Sequence, residues 1–137
     1  MLILNKEIIP IEKEHDMVYM RNRVSQYADK IQMGLVNKTK LLTAASELVR
    51  NMLNYAGKGK VLCEVISASA LQSGIRLTFT DKGPGIKDIG LAMKDGYTTG
   101  KTLGLGLPGA KRLVNIFDIQ SQPGKGTTVV ITKWKNG

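Results

Sequence analysis

Ile75-Arg76-Leu77-Thr78-Phe79-Thr80-Asp81-Lys82-Gly83-Pro84-Gly85-Ile86 is the stretch on which the fold turns. Its first six residues alternate, with Ile75, Leu77 and Phe79 on one face and Arg76, Thr78 and Thr80 on the other, which predicts a strand. An acidic side chain then closes the strand, and glycines at every second position let the backbone approach a flat ligand closely. An ordinary Asp-Gly turn would use the same residues, and taken alone the stretch favours that turn.

Upstream, the segment from Lys38 to about Tyr55 carries two stripes at helical spacing. Leu41, Ala45, Leu48, Met52 and Ala56 form an apolar one, while Thr43, Glu47, Asn51 and Asn54 form a polar one. Asn37 is the expected N-cap, and Gly57 and Gly59 end the helix. Glu47 and Asn51 therefore stand one above the other. A carboxylate beside a carboxamide suits proton abstraction next to a hard, oxygen-liganded ion. For these two residues alone, a solvated helix face is the stronger reading.

The remaining elements frame this pair. Leu2 to Ile11 reads as an opening strand, and a helical pattern with Val18, Met20, Val24 and Ala28 runs to about Met33. A strand-like run follows around Val61–Ser67, and a short helix near Ile86–Lys94. A further helix from Leu107–Pro108 to about Ile116 has proline in its first turn, where it is tolerated. Strands Asp118–Ser121 and Thr127–Trp134 flank a Gln-Pro-Gly-Lys-Gly turn. This order predicts an α+β fold, a two-layer α/β sandwich with one mixed sheet and helices on one face. Residues 1–137 form a single domain in this reading.

Two glycine patterns are set aside. Gly96 to Thr102 resembles a P-loop, but three residues rather than four separate its glycines, too few for the amides to curl around a phosphate. Gly104-Leu105-Gly106-Leu107-Pro108-Gly109 fits the dinucleotide fingerprint by letter, yet no strand precedes it and no acidic residue follows Asp118.

The 20 Lys and Arg against 11 Asp and Glu give a net charge of +9, which points to an anionic partner or a solvated basic surface. No Arg-rich run interleaves with aromatics, so nucleic-acid binding is not expected. Cys63, the sole cysteine, lies in an apolar stretch and reads as a small hydrophobe. Neither a leader nor a membrane-spanning run is apparent, which makes a reducing, cytoplasmic setting the default.

Taken in order, these motifs resemble the GHKL (Bergerat-fold) ATPase superfamily of DNA gyrase, heat-shock chaperones, histidine kinases and anti-sigma kinases. Glu47-Leu48-Val49-Arg50-Asn51 is similar to the N-box, Asp81 to Gly85 to the first glycine box, Gly104 to Leu107 to the second, and Gly126-Thr127-Thr128 to the final box. The resemblance is closer to the RsbT-type serine/threonine switch kinases through Thr43 to Asn51, Tyr55 to Gly59, Asp95 to Thr99, and Pro123 to Trp134.

The resemblance implies ATP and Mg2+ as cofactors. Glu47 would be the general base, Asn51 the Mg2+ ligand, and Asp81 the acceptor of the adenine amino group, aided through water by Thr127. The implied nucleotide set is Asn51, Asn54, Asp81, Gly83, Gly85, Ile86, Gly104, Leu105, Gly106, Leu107 and Thr127. Residues from about Ile86 to Leu103 would form a mobile ATP lid. The implied partner is a STAS-domain antagonist protein phosphorylated on serine, with a downstream phosphatase activator or a sigma factor as a further partner.

A complete histidine kinase is not expected, because the sole histidine, His15, reads as an exposed residue near a helix start. Three alternatives stay open: an anti-sigma factor kinase, a non-catalytic ATP-dependent binding switch and, last, a basic nucleic-acid binder.

Overall fold

The computed structural model describes residues 1–94 and 106–137. Among them, strands β1 (Leu2–Ile11), β2 (Gly59–Ser69), β3 (Gln72–Asp81), β4 (Ile116–Ser121) and β5 (Thr127–Trp134) form one sheet in the order β1-β2-β3-β5-β4. Helices α1 (Glu14–Lys30) and α2 (Leu35–Tyr55) join β1 to β2, and short helices α3 (Ile89–Ala92) and α4 (Gly106–Arg112) lie between β3 and β4.

The alternation read in Ile75–Thr80 extends across the sheet through its register. Ile9 faces Val61, Val61 faces Phe79, and Phe79 faces Val129, while one layer along Cys63, Leu77 and Ile131 stand in a row. All of these are buried, and they pack with Met20, Val24 and Ala28 of α1 and Leu41, Ala45, Leu48 and Met52 of α2. Each Val, Leu, Ile, Phe or Met side chain among them contributes about 1.5–3 kcal/mol on removal from water. On the opposite face Ile8 is exposed, and Arg76 Nε donates to Glu64 Oε1 across β2 and β3 at 2.9 Å. The two-layer α+β sandwich is therefore as expected.

One expected feature differs. All four strand pairings are antiparallel, so the sheet of the described residues is not mixed. β3 and β4 do run parallel, but the final strand is inserted between them, antiparallel to both. The β4–β5 turn is short enough to fold β5 straight back into that gap.

Local chemistry corrects several boundaries. The N-cap of α2 is Gly34, not Asn37, whose Nδ2 instead donates to the Lys135 carbonyl at 3.1 Å. Val18 is exposed, and α1 ends before Gln32, which adopts a left-handed φ of 62°. At the start of α1, Asp16 accepts hydrogen bonds from the Glu12 and Lys13 amides, which hold its carboxyl below the usual range. α4 stops at Arg112, and β4 begins at Ile116, two residues before the expected Asp118. Among the described residues, no helix is long and apolar enough to cross a membrane.

Candidate nucleotide site

Two structures meet at one end of the sheet: the loop after β3 and the turn between β4 and β5. Asp81 closes β3, and its Oδ1 accepts the Gly83 amide at 2.9 Å, so the side chain fixes the turn that follows it. Pro84 O accepts the Gly124 amide at 2.7 Å, which ties this loop to the β4–β5 turn. Gly85 has φ +76°, and a Cβ there would overlap the Gln122 carbonyl oxygen; a Cβ on Gly126, at φ +83°, would overlap that of Asp81. Both sites therefore require glycine.

Register places Asp81 opposite Thr127, and Thr127 opposite Ser121, so three polar side chains line the rim of the helix-covered face. Ser121 Oγ accepts the Ile86 amide at 2.8 Å and lies 2.7 Å from Thr127 Oγ1 and 3.0 Å from the Gly126 carbonyl. Every donor is satisfied if Ser121 donates to Gly126 and Thr127 donates to Ser121. Thr127 then keeps lone pairs to accept from water or a ligand. Ser121 was not among the expected site residues, although the hairpin turn between it and Thr127 already implies that the two face each other.

The loop also seats on α2. A Cβ on Gly83 would lie 2.5 Å from Ala56 Cβ, just past the last turn of that helix. Glu47 is nine residues back, roughly 13 Å along the helix axis at 1.5 Å per residue. The solvated-face reading fails there, because Glu47 is only 8% exposed. Its Oε1 accepts from Arg50 Nη1 at 2.6 Å, whereas its Oε2 is buried with no partner among the described residues. A buried carboxylate oxygen without a donor is costly and calls for an external one. Asn51, one turn on, is half-buried, and Asn54 is exposed.

Gly106 opens α4 with φ +68°, Leu107 packs against the core, and α4 lies against α2. Gly104, Leu105, the Asp95–Thr99 segment and the later part of the expected lid lie outside the described residues. Among those described, no group of three or more His, Cys, Asp or Glu could hold a metal.

A helix bearing a buried carboxylate and an amide thus stands beside a glycine loop that opens with Asp81. Residues 36–136 match the Histidine kinase-, DNA gyrase B-, and HSP90-like ATPase family. The chain is also 38% identical over 130 residues to the serine/threonine-protein kinase RsbT of Bacillus subtilis, covering 95% of this chain and 97% of RsbT. It therefore belongs to that ATPase family and, within it, to the RsbT-like serine/threonine-protein kinases. An anti-sigma F factor of Caldanaerobacter subterraneus subsp. tengcongensis is 28% identical over 127 residues, covering 90% of this chain and 89% of the relative. The same fold occurs in a structure of the RsbU and RsbW domains of a Mycobacterium tuberculosis protein, with a TM-score of 0.65 and 17% identity. That match takes in 94% of this chain but 32% of the other.

Proposed function

We propose that this chain transfers the γ-phosphoryl group of Mg-ATP to a serine of a small STAS-domain antagonist protein in a bacterial partner-switching pathway. Residues 1–137 act as one unit in the cytoplasm. The observation that carries the reading is the buried Glu47 carboxylate, whose Oε2 lacks a donor on the helix that seats the Asp81 loop.

Asp81 Oδ1 is held by the Gly83 amide, which leaves Oδ2 to accept from the adenine amino group. Guanine offers a carbonyl there, and a site built to pair one polar pattern rejects the other by roughly 10⁴-fold. Thr127 completes this end through water, with Asn54, Gly85 and Ile86 lining it. Partway back along α2 from the end that seats the loop, Glu47 Oε2 accepts the serine hydroxyl proton. The serine oxygen bonds to the γ-phosphorus, and the β–γ bridging oxygen leaves with ADP. Asn51, Gly106 and Leu107 serve the phosphates, and Gly104 and Leu105, outside the described residues, complete that expected set. Asn51 would hold a magnesium ion that takes most of its ligands from phosphate and water, and the ion would supply charge neutralisation.

Titration of Mg-ATP and Mg-GTP by calorimetry tests this reading. The parent chain should bind ATP selectively, and Asp81→Asn should lose that binding because an amide nitrogen would face the adenine amine. Binding by the variant as tight as by the parent would undo the pocket assignment. The likeness to an anti-sigma F factor supports a second reading, in which the chain also sequesters a sigma factor. Co-elution with a purified sigma factor in the presence of Mg-ATP, and not without it, would favour that reading.

A further inference from the structure

The geometry points to Arg50 as a positioning residue that fixes which Glu47 oxygen serves as the base. This inference rests on the reading of Glu47 given above. Arg50 stands one turn beyond Glu47 on α2, and its guanidinium Nη1 lies 2.6 Å from Oε1. Its side chain is 40% exposed, so the guanidinium sits at the surface while the carboxylate it holds, 10% exposed, lies beneath.

An ion pair three residues apart on a helix is commonplace, and on a surface it contributes little. This pair differs because its acid is buried and only half satisfied. One oxygen carries a short, charge-assisted bond, and the other has no partner among the described residues. A carboxyl group with neither oxygen held rotates between two equivalent orientations, and a proton acceptor must keep one of them to meet its donor in line. By occupying Oε1, the guanidinium locks the plane of the group and reserves Oε2 for the incoming hydroxyl. Arginine suits this task because its planar guanidinium presents Nη1–H in a fixed direction, which the rotating ammonium of lysine does not.

The test is single-turnover release of inorganic phosphate from Mg-ATP by the purified chain, with water standing in for the serine hydroxyl. Calorimetry supplies the Mg-ATP Kd, and thermal unfolding monitors the fold. Arg50→Ala should lower the single-turnover rate about 10- to 100-fold, part of the contribution of a general base, with Mg-ATP Kd within about twofold of the parent. Arg50→Lys should recover only part of that loss, because charge returns without the fixed planar donor. A purely structural role would instead lower the melting temperature and the ATP affinity, and an Arg50→Ala rate within about twofold of the parent would also overturn the inference. Glu47→Gln separates the two layers of the argument. If that variant is inactive while Arg50→Ala is fully active, only the Arg50 role fails. If Glu47→Gln still releases phosphate, or the parent releases none, the base assignment fails and the Arg50 role falls with it.

Discussion

Asn51 and Glu47 differ by one helical turn and by chemistry. The carboxamide is a neutral oxygen ligand that suits magnesium without adding negative charge beside the phosphates, whereas the carboxylate suits a proton. Asn51→Ala should therefore weaken Mg-ATP binding by about tenfold or more while leaving the affinity for magnesium-free ATP unchanged. Calorimetry with and without magnesium reads this directly, and an unaltered magnesium dependence would remove Asn51 from the ion. The pairing itself was legible, because residues four apart on a helix share a face. The burial of Glu47 was not. A polar stripe looks the same whether water or protein lies beyond it, and only packing around α2 decides which.

Among the elements, the loop after β3 shows how glycine spacing becomes a constraint. The spacing of Gly83 and Gly85 predicts a close backbone approach to a flat ligand, and each glycine is also fixed by a different neighbour. Gly83 is pressed on Ala56 beyond α2, and Gly85 on the Gln122 carbonyl of the β4–β5 turn. Gly85→Ala combines a left-handed φ with a backbone clash that no side-chain movement relieves. It should cost roughly 2–4 kcal/mol in stability and loosen ATP binding, measured by urea unfolding and calorimetry. Gly83→Ala meets the Ala56 methyl at 2.5 Å and the Ala56 Cα at 2.9 Å, so Ala56→Gly should restore only the methyl's share of its loss in a double-mutant cycle. Equal losses that no second change relieves would mean that the loop does not seat as described. The strands were legible from alternation. The antiparallel insertion of β5 between β3 and β4 was not, because alternation fixes a strand's faces and says nothing of its neighbours. Ser121 enters the site by cross-strand register with Thr127, a pairing that the Gln-Pro-Gly-Lys-Gly turn between them already implies.

For the molecule as a whole, the question is what ties α1, which carries none of the expected site residues, to the sheet under the nucleotide site. Glu7 on β1 accepts from Arg23 Nε at 2.9 Å and Nη2 at 2.7 Å, from Tyr27 Oη at 2.7 Å and from Tyr19 Oη at 3.3 Å. The Arg23 guanidinium, with help from the tyrosine hydroxyls, holds the Glu7 carboxyl below its ordinary value of 4.5. Between the folded and unfolded values the unfolded chain binds more protons, so stability rises with pH through that window. The contribution is fully present above about 4.5 and is lost as pH falls through the lower, folded value. Asp16, with its carboxyl held down by the Glu12 and Lys13 amides, acts in the same direction. Acid should thus loosen both the anchor and the start of α1. Glu7→Gln keeps the shape and removes the charge, so it should cost about 1 kcal/mol at neutral pH, allowing for partial solvent screening. Urea unfolding at neutral pH and at a series of pH values below 4.5 should show that difference shrinking as pH falls through the folded value of Glu7. A difference that stays constant with pH would mean the anchor works through packing and neutral hydrogen bonds. In that case the acid sensitivity of α1 would come from groups other than Glu7, Asp16 among them.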